Sequence, residues 1–182
     1  LMKNGHHTPF EKIVFEFYVK CPIFVARQWF RHRIGSFNEE SARYREFNYQ
    51  TYIPYQWRKQ DSKNKQGSNG VFDKQQSEEI SEIVKKHFEE SKKLYEHLLK
   101  IGVSKELARI VMPVSVYTKF FWTVNFRSLM NFLKLRLDKH AQYEIRQYAY
   151  TIYRILKSIN DIKYTINSFE KYYLGGKNEN IF

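Results

Sequence analysis

Residues 31–45, with the sequence RHRIGSFNEESARYR, contain four arginines, one histidine and two glutamates. A guanidinium group offers a planar, bidentate fork to a phosphate or a carboxylate, so this density of arginine indicates an anion-binding site. Gly35, Ser36 and Asn38 favour turns and caps over a helix interior. We therefore predict an irregular segment that presents arginine side chains to an anionic ligand.

A second group of polar residues lies between Trp122 and Gln147. Within it Arg127, Asn131 and Leu135 recur at a spacing of four, which places them on one face of a helix. Asparagine is mildly unfavourable inside a helix, so Asn131 with arginines nearby favours a ligand-binding role. A structural alternative stays open, in which Asn125 caps the helix and Asn131 is merely exposed.

The formal net charge of +12 favours an anionic partner. The candidates are nucleic acid, a membrane surface and small phosphorylated ligands. Lysines are scattered along the chain whereas arginines are grouped, and this favours specific anion pockets over a diffuse binding surface. The grouped arginines are Arg27, Arg31, Arg33, Arg43 and Arg45, and then Arg109, Arg127, Arg136 and Arg146.

Length and composition favour a single domain over residues 1–182, with 42% hydrophobic and 18% aromatic residues to form its core. Cys21 is the sole cysteine, so no internal disulfide can form and a cytoplasmic location is expected. No apolar run is long enough to span a membrane, and no signal peptide is apparent. Because structure is expected directly after Leu1, an N-terminal segment is expected to be missing.

The elements that must position these residues can be predicted from periodicity. Residues 13–19 alternate β-branched and aromatic side chains on one face, which is typical of a strand. Pro22 fits the first turn of a helix that continues to residue 32 and ends by Gly35 and Ser36. The polar stretch 58–77 is expected to be a mobile loop.

Helices dominate the rest of the chain. The predicted elements are a long amphipathic helix over 80–101 closed by Gly102, a short helix from Ser104 to Ile110, a strand over 114–124, a helix from Asn125 or Ser128 to Leu135, and a last helix capped by Asp138. The fold class is therefore α+β, helix-dominated, with a small, mostly antiparallel sheet. The aromatic run 120–122 is expected in the core or a subunit interface rather than as a platform for a cofactor.

Both arginine-rich regions together resemble the flavin-dependent thymidylate synthase family. Its signature, Arg-His-Arg followed after a short spacer by Ser-x-Arg, corresponds to residues 31–33 and 41–43. The flanking blocks GHHTPFEKIVFEF, QWFRHR, ELARIVMP and WTVNFRSLMNFLKLR resemble the family's blocks in the family's order. The resemblance runs from about Gly5 to about Tyr148, and it has one departure, because Ala42 stands where the family usually has glycine.

The resemblance implies reductive methylation of dUMP to dTMP. Methylenetetrahydrofolate would give the one-carbon unit, and FAD reduced by NADPH would give the hydride. It also implies a homotetramer with active sites at subunit interfaces, and no nucleic-acid or membrane partner. All of these small ligands carry phosphate or carboxylate groups, which grouped arginines suit.

By the same resemblance, one set of residues would bind dUMP: Gln28, Arg31, Glu39, Ser41, Ala42, Arg43, Arg109 and Arg136. Arg43 and Arg109 would bind the phosphate, and Arg136 would be the catalytic residue, a fixed cation that stabilises negative charge on the uracil ring. Ser41 would donate a hydrogen bond rather than act as a nucleophile, since no base is evident beside it.

A second set would bind FAD. It comprises His6, Thr8, Glu11, Arg31, His32, Arg33, Asn38, Glu39, Asn125, Arg127 and Asn131. His6, His7, His32 and Glu11 match no common zinc spacing, so no metal is expected. His87, His97 and His140 are expected at the surface, and Cys21 is expected to be structural.

A different class of function stays open: a basic, aromatic-rich module that binds single-stranded nucleic acid. Glu39, Glu40 and Glu46 weigh against it, because they lie within the densest arginine cluster and would repel a polyanion. Flavin uptake by the purified protein distinguishes the two classes.

Overall fold

The regular elements of this chain follow largely from its hydrophobic periodicity, as a computed structural model that describes residues 1–43, 50–62, 64 and 67–175 shows. Its strands are β1 (Val14–Pro22), β2 (Ser36–Glu39), β3 (Arg58–Gln60), β4 (Ser68–Val71) and β5 (Tyr117–Asn125). Its α-helices are α1 (Ile23–Trp29), α2 (Lys74–Lys100), α3 (Lys105–Ala108), α4 (Phe126–Arg136), α5 (Tyr143–Ser158) and α6 (Lys163–Tyr173). Short 3₁₀ turns cover Met2–Asn4, Thr8–Lys12, Arg109–Val111 and Asn160–Ile162. The α+β class dominated by helices is confirmed.

The chain forms two compact units, each assembled from separate stretches of sequence. Unit 1 comprises residues 1–17, 28–37 and 121–182, and unit 2 comprises 18–27 and 38–120. Within the described residues, one sheet has the strand order β1-β5-β2, and β3 pairs antiparallel with β4 in a second sheet. The expectation of one domain over 1–182 stays a prediction.

Aromatic side chains form the core of unit 1. Trp29, Trp122 and Phe132 are fully buried. The Trp29 ring stacks on Phe132 with centroids 5.0 Å apart and meets Trp122 edge-on at 5.3 Å. Such pairs add stability beyond the area that they bury. Of the aromatic run 120–122, the first and last residues are buried as expected, but Phe121 is 46% exposed.

Helix α2 in unit 2 confirms the long amphipathic helix. Asp73 caps its start, where the carboxylate accepts the Gln76 backbone N–H at 2.8 Å. Phe88 and Tyr95 are buried on one face. Gly102 follows the end of the helix with φ of +91°, a conformation that favours glycine.

The stretch 58–77 is not a loop throughout, so that prediction was wrong in part. It contains the β3–β4 hairpin and the first turn of α2. Its polar residues bond to one another across the turn: the Asp61 backbone N–H donates to the Gly67 carbonyl at 3.1 Å, and the Asn64 N–H donates to the Asp61 carboxylate at 3.0 Å. A hairpin closed by polar groups has the composition of a loop. Its mobility stays a prediction.

Two boundaries near the arginine-rich stretch were also predicted wrongly. Pro22 ends β1, and α1 ends at Trp29, where the chain turns as the His32 N–H donates to the Trp29 carbonyl at 2.9 Å. The segment predicted to be irregular contains β2. Just beyond this strand, the Glu40 N–H donates to the Lys119 carbonyl at 2.9 Å. A partner strand overrides the local turn preference. Residues 44–49 of that stretch lie outside the described part of the chain.

The C-terminal helices differ from expectation at one cap. Asn125 begins α4 as predicted, and its side chain accepts the Ser128 backbone N–H at 2.9 Å. Asp138 instead closes a turn by accepting the His140 N–H at 2.8 Å, and Gln142 precedes the first residue of α5. Helix α6 was not predicted.

Candidate active site

A cavity of about 890 Å³ lies in unit 1 and is lined by both arginine-bearing regions of the sequence. The first region contributes residues 31–34, which follow α1, to the lining. The second region contributes the start and one face of α4. Eight of the residues predicted from the resemblance line it: Glu11, Arg31, His32, Arg33, Asn125, Arg127, Asn131 and Arg136. The volume lies toward the upper end of the range for small-molecule and cofactor sites.

Local structure explains how these side chains meet. The turn after Trp29 releases Arg31 and His32 from the helix, and the fully buried Trp29 fixes where that turn begins. Arg127 and Asn131 share a face of α4 because they are four residues apart. The Phe126 N–H donates to the Ile13 carbonyl at 2.8 Å, which ties the start of α4 to the chain just before β1.

His32 and Arg136 form a hydrogen bond at the cavity wall. The Arg136 Nε group donates to His32 Nε2 at 2.9 Å, so this ring nitrogen is an acceptor and the imidazole is neutral, with its proton on Nδ1. Burial and the neighbouring Arg136 cation lower the pKa of His32 to about 4. Burial also lowers the pKa of Arg136. The Phe132 ring meets the imidazole edge-on at 4.9 Å and holds it in place.

This pair predicts a pH-dependent stability. The pKa of His32 in the folded chain is about 4, below its ordinary value, so between about pH 6.5 and 4 the unfolded chain binds a proton that the folded chain does not. Stability conferred by neutral His32 is therefore present above pH 6.5 and is lost as the pH falls toward 4. The free energy of unfolding is measured with urea at pH 7 and at pH 5. It is expected to fall less between these two pH values in His32→Gln than in the unmodified chain. The exposed His97→Gln is the control, and an equal loss in both variants would contradict the assignment.

Positive charge dominates the cavity. Among its described lining residues, Arg31, Arg33, Arg127, Lys134 and Arg136 face a single carboxylate, that of Glu11. The Arg127 guanidinium pairs with Glu11, and both side chains remain partly exposed. Since one carboxylate cannot balance five cations, the cavity is suited to an anionic ligand.

Asn125 caps α4, and the resemblance also implies that it binds a ligand; substitutions can separate these two roles. Its side-chain oxygen caps α4, so Asn125→Ala is expected to lower the free energy of unfolding by about 1 kcal/mol. Asn125→Asp keeps the capping oxygen, and near-normal stability is expected, but it adds negative charge to the cavity and should weaken the FAD binding that the resemblance implies. Urea unfolding and flavin fluorescence measure the two effects. Unchanged FAD affinity in the aspartate variant would contradict a cavity role.

Several predicted residues do not line this cavity. His6, Thr8 and Gln28 belong to unit 1 but lie outside the lining, and the remainder belong to unit 2: Asn38, Glu39, Ser41, Ala42, Arg43 and Arg109. Their proposed roles stay predictions. Glu106 brings two of them together in unit 2, because its carboxylate lies 3.8 Å from Arg43 Nε and its carbonyl accepts the Arg109 Nε–H at 3.1 Å. The Ser41 hydroxyl accepts the Arg43 backbone N–H at 3.3 Å.

Sequence reasoning assigned no ligand-binding role to part of the lining: His7, Ile34, Trp122, Ser128, Met130, Lys134, Leu135 and Tyr173. Leu135 was already placed on the helical face of Arg127, and Lys134, seven residues after Arg127, could have been found by the same spacing. Nothing in the sequence indicated that Tyr173 lines the cavity, because α6, which contains it, lies outside the region of resemblance. Its hydroxyl lies 2.9 Å from His7 Nε2, and Lys134 Nζ lies 5.6 Å from its ring centroid.

The remaining candidate groups have structural or surface positions. Cys21 is fully buried, and burial together with Glu39 raises the pKa of its thiol to about 12, so it is no ready nucleophile. His87, His97 and His140 are exposed, as expected. Within the described residues there is no group of three or more His, Cys, Asp or Glu side chains that could hold a metal ion. No helix in that part of the chain could cross a membrane.

The fold and the cavity together define a helix-dominated α+β protein with a cationic, partly aromatic site for an anionic ligand. Residues 1–160 match the family described as thymidylate synthase complementing protein. A flavin-dependent thymidylate synthase of Thermosipho africanus is 54% identical over 172 residues, which are 94% of this chain and 75% of that protein. A flavin-dependent thymidylate synthase of Thermus thermophilus is 45% identical, over 97% of this chain and 63% of its own length.

Solved structures give the same result. The UMP/dUMP methylase PolB of Streptomyces cacaoi, bound with 5-Br UMP, superposes with a TM-score of 0.87 at 32% identity, over 95% of this chain and 80% of that one. Its structure bound with 5-Br dUMP gives a TM-score of 0.85. This chain therefore belongs to the flavin-dependent thymidylate synthase family, a family of methyltransferase enzymes.

Proposed function

We propose that the chain converts dUMP to dTMP, with methylenetetrahydrofolate as the one-carbon donor and with FAD, reduced by NADPH, as the hydride carrier. The observation that carries the proposal is a cationic cavity that is lined both by residues 31–34 and by one face of α4. Relatives of known name support the flavin, and the PolB structures support a uridine nucleotide as the substrate. A cytoplasmic location remains part of the proposal.

The cavity residues fit a flavin dinucleotide. The volume of the cavity accommodates a large cofactor, and the cationic side chains that line it match a pyrophosphate. Trp122, Met130 and Leu135 add an aromatic and apolar part of the wall, which suits flat rings. The residues that would hold FAD here are Arg31, His32, Arg33, Asn125, Arg127 and Asn131.

When bound, FAD supplies the hydride that reduces the transferred carbon to a methyl group. The chain's own residues hold and polarise the reactants. The neutral His32 ring holds Arg136 by its Nε group, and this leaves both Nη groups to bind the pyrimidine. A cation held in this way stabilises negative charge on the ring and makes its carbon more nucleophilic toward the methylene group.

The nucleotide phosphate would be bound by Arg43 and Arg109, and Ser41 would act as a hydrogen-bond donor. Both arginines have Glu106 beside them, which restrains their guanidinium groups before a phosphate arrives. We propose that the protein is a homotetramer whose active sites lie at subunit interfaces, with residues from more than one chain in each site. Light scattering that gives about four times the chain mass would support this assembly.

Product analysis tests the proposed reaction. The purified chain is incubated with dUMP, methylenetetrahydrofolate, NADPH and FAD, and dTMP is measured by chromatography. Formation of dTMP that stops when any one component is omitted is the expected result. Absence of dTMP, together with no flavin uptake, would contradict the proposal. Salt-sensitive binding of oligonucleotides in that case would support the nucleic-acid-binding module instead.

A further inference from the structure

A chain of side-chain hydrogen bonds in unit 1 links Gln28 to a buried carboxylate. Gln28 Nε2 donates to Gln142 Oε1, and Gln142 Nε2 donates to Glu144 Oε2 at 2.9 Å. Glu144 is only 6% exposed and lies in the first turn of α5, where the helix dipole favours a negative charge. Neither Gln142 nor Glu144 was predicted as a site residue.

The Glu144 carboxylate fixes the direction of both hydrogen bonds in this series of three side chains. A carboxylate accepts but does not donate, so Gln142 must turn its amide NH₂ group toward Glu144. Its carbonyl oxygen then faces Gln28, which must in turn present an NH₂ group. The orientation of the Gln28 amide is therefore set by a residue that does not touch it.

This orientation leaves the Gln28 carbonyl oxygen in an unusual state. Gln28 Oε1 is buried and has no hydrogen-bond partner among the described residues. Burying an acceptor without a donor is costly, so Gln28 Oε1 requires a donor other than the described side chains, such as water or a ligand. Gln28 itself lies outside the cavity lining, but the backbone N–H of Arg31, which lines the cavity, donates to the Gln28 backbone carbonyl at 3.3 Å.

We infer that Glu144, acting through Gln142, orients Gln28 so that its carbonyl oxygen accepts a hydrogen bond from the bound nucleotide. Glu144 and Gln142 are positioning residues, and Gln28 is the contact. The inference rests on the proposed function, in which a uridine nucleotide is the substrate. The donor it requires is either the ring N3–H or the ribose 3′-hydroxyl.

Nucleotide analogues test the inference in the intact protein. Affinities are measured by calorimetry for dUMP, for N3-methyl-dUMP, which lacks the ring donor, and for 2′,3′-dideoxyuridine monophosphate, which lacks the hydroxyl. We expect one analogue to bind about tenfold more weakly than dUMP, and this identifies the donor. In Glu144→Gln, the side-chain amides of Gln28 and Gln142 can both invert. The affinity ratio between dUMP and the weaker analogue should then fall to about threefold or less.

A second variant makes the test sharper. In Gln142→Glu/Glu144→Gln, the new carboxylate accepts from both neighbours and again forces the Gln28 carbonyl outward. About tenfold discrimination should return, which a merely structural role would not produce. Glu170→Gln is the matched control, because it removes a buried carboxylate that pairs with Lys157 elsewhere in unit 1, and its discrimination should be unchanged.

The results separate this inference from the proposed function. Equal binding of dUMP and both analogues, or equal discrimination in all variants, would overturn the positioning role while leaving dTMP formation intact. Failure to bind dUMP at all would instead contradict the proposed function. If Glu144→Gln does not fold, the double variant and the analogue series in the unmodified chain still decide the question.

Discussion

Arg136→Ala is expected to lower the rate of dTMP formation by about 10²–10³-fold, with dUMP still able to bind more weakly. The guanidinium is half-buried and is held by His32, so its charge is fixed before the nucleotide binds. A fixed cation needs no reorganisation as negative charge develops on the pyrimidine, and water cannot replace it. Single-turnover kinetics with saturating dUMP measures the loss in the chemical step.

Arg136→Lys should restore little of that rate. Lysine lacks the second and third nitrogens, so it cannot bond to His32 through one edge and to the pyrimidine through another. Arg154→Ala is the matched control, since Arg154 is exposed on α5 and does not line the cavity. Full activity of the lysine variant would show that Arg136 acts only as a diffuse positive charge.

Charge reversal at Arg127 is expected to weaken FAD binding by about 10–100-fold. Arg127 pairs with Glu11 at the cavity, so Arg127→Glu places two carboxylates together and also removes a guanidinium from the proposed pyrophosphate site. Fluorescence quenching of added FAD measures the affinity. The variant should remain folded, because Arg127 is exposed on the surface of α4.

Two further variants isolate the cause. In Arg127→Glu/Glu11→Gln the local repulsion is relieved, so FAD affinity should recover only in part if the guanidinium binds the cofactor directly. Arg154→Glu makes the same charge change at a distance from the cavity and should have little effect. Equal losses in Arg127→Glu and Arg154→Glu would indicate a general charge effect and not a binding site.

Much of the cavity could be predicted because its residues are recognisable by type and spacing. Arg31, His32 and Arg33 are adjacent in sequence, and Arg127 and Asn131 share a helical face. The resemblance implies that these two regions meet at a subunit interface, and in the structure they already meet within one chain. Tyr173 could not be found in this way, because only the tertiary packing of α6 brings it beside His7.

The fold shows the same division between local and long-range causes. The cap at Asn125 was predicted because its side chain bonds to its own helix. Helix α2 was predicted to begin at residue 80, but it begins at Lys74, where Asp73 caps it inside the stretch expected to be a loop. Strand β2 pairs with β5, which is distant in sequence, and the β3–β4 hairpin is closed by polar residues, so both resembled loops.

A crystal structure of the protein with FAD and dUMP bound tests the proposed active site most directly. We predict the flavin in the cavity lined by Arg31, His32 and Arg127, with the Arg136 guanidinium against the uracil ring. Flavin bound elsewhere on the protein, or a uracil ring out of reach of Arg136, would contradict this assignment.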